Sequence, residues 1–312
     1  MDYAVLYNPV AGRGRAADVA GAIGKRLEEL GHRADLGRSE GPGHIREMSR
    51  SLAPGVERLL VLGGDGSLRE AASGLLERPA AERPDLGVLP FGSGNVVARE
   101  LGLPLEPLAA AEALVASEVT GPWDVGIAVA DGGSPEPFLA MAGLGFDAAI
   151  AERIGRRRAS GWGKWLYRIQ ADLLYVTAGV TQLFVPGQPR FELRADGEKI
   201  EGTAVAVIAS NTRTYAKSML LTPEARVDDG ALDLYVRRSA NPLVGAVSLV
   251  VAQLRWGCPG WVARTRRMVT LRAHASARPF PWQLDGDSMC RAGCVEISID
   301  PGALRLIAPN AP

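Results

Sequence analysis

Tyr3–Tyr7 is a short apolar run with no polar face. Such a run fits a parallel strand buried on both sides. Leu59–Leu62 runs apolar into a glycine cluster, Leu86–Pro90 repeats the pattern, and His32–Leu36 reads as a further strand. Helical spacing falls between these runs. Ala16–Leu30 reads as a helix closed by Gly31, Ile45–Leu52 as a second, the stretch through Leu75 as a third, and Val96–Leu101 as a fourth stopped near Gly102 and Pro104. This alternation of strand and helix lasts to about Gly121. The rhythm then changes. Trp123–Ala130, Phe138–Ala142, Phe191–Ala195, Thr203–Ser210, Leu232–Arg237 and Met268–Ala273 read as strands without a helix between each pair, and Val295–Ile299 and Leu304–Ala308 finish the chain. One amphipathic stretch, Trp162–Val176, interrupts them. The pattern predicts an α/β domain followed by an antiparallel, sandwich-like one.

Composition narrows this picture. A chain of 312 residues suggests about two domains. The 35 basic and 35 acidic residues cancel, so nothing global points to nucleic acid. Three cysteines, Cys258, Cys290 and Cys294, are too sparse for a disulfide scaffold and suit a reducing compartment. The N-terminus lacks the pattern of a signal peptide. The longest apolar run, Pro242–Leu254, falls short of the roughly 20 residues of a membrane span. The expectation is a cytoplasmic protein, soluble or peripheral at the inner face of a membrane.

Chemistry concentrates in three strand-to-helix turns. The first is Asn8-Pro9-Val10-Ala11-Gly12-Arg13-Gly14-Arg15, the second Gly63-Gly64-Asp65-Gly66-Ser67, the third Phe91-Gly92-Ser93-Gly94-Asn95. Glycines let a backbone approach another molecule closely, and a helix N-terminus favours an anion. Arg13 and Arg15 add guanidinium groups suited to phosphate. In an open α/β sheet such turns gather beyond the carboxyl ends of the strands. A lone GGDG turn fits an ordinary capped helix start equally well; three such turns in succession favour a phosphate site. Asp65 is the odd member, because a carboxylate beside phosphates must hold a cation, accept a proton or orient a donor. Glu70 either binds a hydroxyl or sits solvated in the first helical turn.

Taken together, Asn8-Pro9 with Gly12, Gly63–Ser67 with Glu70, and Pro90–Asn95 resemble the three loops of the diacylglycerol kinase catalytic domain superfamily, which includes bacterial soluble lipid kinases and sphingosine kinases. Thr222–Asp233, with Asp228-Asp229-Gly230, resembles that family's Asp-Asp-Gly segment. Leu284-Asp285-Gly286-Asp287 sits where the family has Asp-Gly-Glu. The resemblance spans nearly the whole chain in order. It implies a nucleotide-binding α/β domain like that of NAD kinases and phosphofructokinases, over residues 1–122 with about 300–312 returning to it. A β-sandwich acceptor domain over 123–299 follows, with the active site in the cleft between them.

The resemblance further implies an ATP-dependent transfer of phosphate to a lipid hydroxyl, diacylglycerol-like or sphingoid. Asn8, Gly12, Ser39, Gly63, Gly64, Asp65, Gly66, Ser67, Leu68, Arg69, Gly92, Ser93 and Asn95 would meet the nucleotide. Mg²⁺ would be held by Asp229 and the carbonyls of Arg226 and Ala231; without the resemblance, Asp228-Asp229-Gly230 reads as a tight turn. Asp287 is the expected base, with Asp65 as partner to a metal or hydroxyl. Asp287 is one methylene shorter than the family's Glu, which puts activity or acceptor identity in question. Arg153, Arg156, Arg157, Arg158, Lys164 and Arg168 around Trp162, Trp165 and Tyr167 suit an anionic lipid surface, as does Arg255–Trp261 with Arg264, Arg266 and Arg267. An amphipathic helix packing its Trp residues inward explains the first cluster equally well. Edge strands of the second domain would allow two copies to pair. The rivals are a nucleotide- or lipid-binding sensor that has lost catalysis and an NAD-kinase-like enzyme.

Overall fold

The fully apolar runs become the buried centre of a parallel sheet. In the computed structural model, which describes residues 1–159, 181–182, 184–185, 187–215, 219–254, 260 and 263–309, β3 (Arg58–Gly63) is buried at every position. It is flanked by β1 (Asp2–Tyr7) and β4 (Asp85–Pro90). The edge strand β2 (Arg33–Arg38) pairs with β1 and is only partly buried, which is why its sequence lacks a clean apolar run. The helices are α1 (Ala16–Glu29), α2 (His44–Arg50), α3 (Asp65–Leu76), α4 (Val96–Glu100) and α5 (Pro107–Val115). These elements belong to a unit of Met1–Val125 joined by Pro301–Pro312.

The second unit, Gly126–Asp300, is antiparallel. Its strands are β5 (Thr120–Ala130, which begins in the first unit), β6 (Glu136–Phe138), β7 (Met141–Gly145), β8 (Phe191–Ala195), β9 (Glu198–Ala204), β10 (Ala206–Ser210), β11 (Thr214–Tyr215), β12 (Met219–Leu220), β13 (Leu232–Arg237), β14 (Arg264–Met268), β15 (Thr270–Ala275), β16 (Trp282–Leu284), β17 (Asp287–Ser288) and β18 (Cys294–Ile307). One sheet has the order β14-β13-β10-β7-β16-β17. The other runs β18-β15-β8-β9, with β5 and β6 attached through β18. Leu144, Val207, Leu234 and Trp282 of the first meet Leu193, Leu271 and Val295 of the second in one buried core. Two sheets sharing a face make a β-sandwich.

Several expected strands are divided, each for a visible reason. Phe138–Ala142 breaks into β6 and β7 because the Asp285 carboxylate draws the successive amides of Leu139, Ala140 and Met141. Thr203–Ser210 breaks at Val205, whose N–H goes to the Arg237 carbonyl and whose carbonyl takes the N–H of Phe146. Met268–Ala273 breaks at Val269, whose N–H donates to Asp196 Oδ1 at 2.9 Å. In contrast, the two expected final strands are one, β18, continuous through Pro301-Gly302. Its Leu306 pairs in parallel with Leu86 of β4, and the Gly302 N–H is held by Asp124 Oδ1 at 2.7 Å.

Among the described residues, two helices accompany the six-stranded sheet. The first, α6 (Phe146–Ala159), follows β7 at once, where a strand-only reading had no helix. The second, α7 (Pro242–Gln253), starts at Asn241, whose Oδ1 accepts from the Leu243 N–H at 2.8 Å. The Trp162–Val176 stretch lies outside the described residues, apart from its flanking Arg153, which donates to Thr181 Oγ1 at 3.0 Å.

Candidate functional site

The three glycine turns of the first unit touch one another through backbone. A Cβ on Gly92 would lie 2.4 Å from the Gly64 Cα, so neither residue admits a side chain without moving a main chain. A Cβ on Gly12 would fall 1.9 Å from the Phe91 ring, and the Gly12 N–H donates to the Phe91 carbonyl at 3.2 Å. The Phe91 N–H in turn donates to the Gly63 carbonyl at 2.8 Å. Gly12 and Arg13 both adopt left-handed conformations, with φ of 55° and 63°. The Asn8 side chain folds its own loop by accepting the Val10 N–H at 3.1 Å. Ser39 is buried beside this edge, its N–H on the Tyr7 carbonyl and its hydroxyl on the Gly41 carbonyl. Phe91, the lid over Gly12, is the member of this group that sequence reasoning missed.

The odd carboxylate has a structural task. Asp65 Oδ1 accepts the N–H groups of Val96 at 2.7 Å and Val97 at 3.3 Å, which caps α4 from another turn. Asn95 is thereby released from capping and closes its own loop instead, accepting from the Gly92 N–H at 2.9 Å and donating to the Gly92 carbonyl at 3.1 Å. Meanwhile α3 begins at Gly64 with no side-chain cap. The amides of its first turn, at Gly66 and Ser67, therefore keep the anion-binding character of a helix N-terminus without a side-chain cap. Ser67 lies against Gly63, its Oγ 2.7 Å from where a Cβ would stand. Glu70 Oε2 is buried and makes no hydrogen bond, as a carboxylate would that awaits a donor.

In the second unit, Asp285 and Gly286 form the tight hairpin between β16 and β17, with φ of 48° and 88°. Two left-handed residues in a row are the pattern of a two-residue hairpin turn. Asp285 holds the three amides named above, so it is the structural acid of the Asp285-Gly286-Asp287 motif. Asp287 stands two residues on, at the start of β17 and half-buried. The hairpin is also fixed from below. Gln283 Oε1 accepts the Gly286 N–H at 2.7 Å, and Gln283 Nε2 donates to Asp147 Oδ2 at 2.8 Å. Tyr215 donates to the other Asp147 oxygen. Burial pushes the Asp147 pKa upward, against the two hydrogen bonds that favour its anion. Asp147, Tyr215 and Gln283 were not among the expected site residues; the signal was Gly143 and Gly145 directly before Asp147, where a Cβ on Gly143 would meet both Asp147 and Gln283.

The expected cation site carries a cation of the protein's own. Arg267 Nη2 lies 2.5 Å from Asp229 Oδ2 and also donates to the Asp229 carbonyl. Asp229 Oδ1 takes the Ala231 N–H at 3.2 Å, the mark of a tight turn. Burial, then Asp229, raise the pKa of neighbouring Asp233, with Arg267 opposing and Glu224 adding to the rise. Arg267 is the counter-charge to this acidic corner. Among the described residues no three acidic, His or Cys side chains converge as a metal set. A Mg²⁺ held by Asp229 and the carbonyls of Arg226 and Ala231 would share the carboxylate with Arg267 and the Ala231 N–H. Of the expected basic–aromatic clusters, residues 160–180, 255–259 and 261–262 lie outside the described residues, as do the side chains of Arg156, Arg157, Arg158 and Arg264; Arg266 pairs with Glu198 at 2.8 Å.

A glycine-turn α/β unit followed by a β-sandwich is the two-domain class that this fold defines. Comparison with known proteins agrees. Residues 2–127 match the diacylglycerol kinase catalytic domain, and residues 140–308 match the YegS C-terminal NAD kinase beta sandwich-like domain. The chain belongs to the diacylglycerol kinase family of lipid kinases that carries this sandwich. It is 29% identical over 314 residues to a diacylglycerol kinase of Mycobacterium tuberculosis, covering 98% of this chain and 94% of that one. It is 29% identical over 264 residues to a probable lipid kinase YegS-like of Pseudomonas aeruginosa, covering 85% of this chain and 80% of the relative. A putative diacylglycerol kinase from Bacillus anthracis shares the fold, with a TM-score of 0.79, 21% identity, and coverage of 99% and 95%.

Proposed function

We propose that the protein is an ATP-dependent kinase that phosphorylates a lipid hydroxyl. The observation that carries this reading is the backbone contact of Gly64 with Gly92 beside the uncapped start of α3. Two loops pressed together without side chains form a surface of amides, and amides aimed outward suit a run of phosphates. In this reading Asn8, Gly12, Ser39, Gly63–Arg69, Gly92, Ser93 and Asn95 border the nucleotide, and Glu70 accepts a hydrogen bond from a hydroxyl of a bound substrate. Mg²⁺ arrives with ATP as part of the substrate.

Phosphoryl transfer needs alignment, charge neutralisation and a place for one proton. Asp287 takes the proton of the acceptor hydroxyl as its oxygen attacks the γ-phosphorus, and ADP leaves with the former bridging oxygen. Asp147 and Gln283 are positioning residues that hold the hairpin bearing Asp287. Asp65 acts through α4 rather than on the substrate. No helix among the described residues is long and apolar enough to cross a membrane. The proposal places the enzyme in the cytoplasm, reaching its lipid at the inner membrane surface. Radiolabelled ATP with a panel of diacylglycerol, sphingoid base, ceramide and phosphatidylglycerol tests the reading. Label in a lipid product is the expected result. ATP binding with no labelled lipid would favour a sensor, the outcome that the shorter Asp287 side chain would explain.

A further inference from the structure

One buried charge has no counterpart in the site described so far. Arg237, the last residue of β13, is 2% exposed. Its Nη2 is buried and makes no hydrogen bond. The Phe146 ring covers one face of the guanidinium, 4.3 Å from its carbon. Burial drives the Arg237 pKa down, and among the described residues the one charge interaction acting on it comes from Tyr235. No carboxylate among the described residues faces it. An arginine remains charged even when buried, and an unpaired buried charge is strongly unfavourable. Stacking on one ring offsets only part of that. A buried guanidinium whose Nη2 lacks an acceptor is a candidate site for an oxyanion.

The surroundings say what carries the oxyanion. In β13, Leu232, Leu234 and Val236 face the sandwich core, so Tyr235 and Arg237 face the other side, towards α6 and α7. Phe146 and Ala206 pack there against Ile150 of α6 and Ala246 of α7. Tyr235 is bonded to Ser248 of the same helix. From Pro242 to Gln253, α7 has no charged residue. Leu243, Val250 and, just past its end, Leu254 are 75%, 56% and 48% exposed. These positions recur at seven and four residues, so they form one stripe along the helix. A basic group under a helix whose outer face is bare aliphatic matches an anionic amphiphile.

We propose that Arg237 and α7 form a binding site for a phosphate-bearing lipid, the phosphate on the Arg237 guanidinium and the chains along Leu243, Val250 and Leu254. The proposal rests on the lipid-kinase reading only in naming the class of lipid that the second unit takes.

Calorimetric titration tests it with short-chain probes below their micelle concentration: dihexanoyl phosphatidylglycerol, dihexanoylglycerol, and inorganic phosphate. Wild type should bind the anionic lipid about tenfold more tightly than the neutral one. Arg237→Met should abolish that preference, and Arg237→Lys should retain part of it. Val250→Asp should weaken both lipids and leave phosphate unchanged. No preference in wild type, or an unchanged preference in Arg237→Met, would overturn the proposal whether or not the variants fold well. Inorganic phosphate binding as tightly as the anionic lipid would make the ligand a small ion and reject the lipid. The undescribed residues contain one acidic side chain, Asp172. If Asp172→Asn and Arg237→Met destabilise the fold by the same amount singly and no further together, Arg237 has an internal partner and the proposal fails. Transfer of label from ATP, measured on the same samples, fails or succeeds independently of these bindings.

Discussion

Two turns, one in each unit, use an aspartate in the same way and leave different chemistry behind. In the first unit Asp65 gathers the amides of Val96 and Val97 from a neighbouring loop. In the second, Asp285 gathers those of Leu139, Ala140 and Met141. Each carboxylate ties its turn to a distant stretch of backbone. What differs is the remainder. Around Asp65 no second acid stands in the turn, and the amides of α3 are what is left to meet a ligand. After Asp285, a second carboxylate follows two residues later at the head of a strand. The lesson is that an acid in a glycine motif is not by itself a base; the acid bound to backbone amides is structural, and its neighbour is the candidate for chemistry.

The largest effect should come from breaking that division at Asp287. Asp287→Ala is expected to cut phosphoryl transfer about 10³-fold while nucleotide affinity and melting temperature hold, because a general base contributes roughly that much. Turnover close to wild type would remove Asp287 from the mechanism. The structural acids should show the opposite signature. Asp285→Ala leaves three amides without their acceptor and should lose about 3 kcal/mol of stability by denaturant unfolding. Asp65→Ala removes a helix cap and should lose about 1 kcal/mol. If Asp65→Ala instead preserves stability and abolishes turnover, Asp65 belongs with the reacting groups.

The smallest effect concerns Asp147. Its folded-state pKa lies above the ordinary carboxylate value because it is buried. The folded protein then holds a proton that the unfolded chain releases, so this group's contribution to stability is present below the unfolded pKa of about 3.9 and lost as pH rises through the folded value. Asp147→Asn, melted across pH 4 to about 8, should flatten that fall and gain relative stability at the alkaline end. An unchanged pH slope would mean that the carboxyl is ionised in the fold.

Much of the first unit was readable because its signals are local. A strand covered on both faces must be apolar throughout, as β3 is, and glycine turns announce themselves in sequence. The second unit yielded its sandwich class and several strands, yet its breaks came from afar. The amides that divide β6 from β7 and β14 from β15 answer to Asp285 and Asp196, residues remote in sequence. The same holds at the site. The loops were found from their glycines, whereas the contact of Gly12 with Phe91, the tie from Asp65 to α4 and the Asp147–Gln283–Gly286 chain are pairings that no local pattern encodes. Arg267 on Asp229 belongs with them: the residues of that turn read as a tight turn, and the guanidinium that pairs with it comes from β14, remote in sequence.

The measurement that bears most directly on the account is the transfer of label from [γ-³²P]ATP to a lipid panel by wild type and Asp287→Ala side by side. The account predicts a labelled lipid from wild type, its loss in the variant, and equal nucleotide binding by both. Label transferred equally by both proteins, or label in no lipid while ATP still binds, would contradict it.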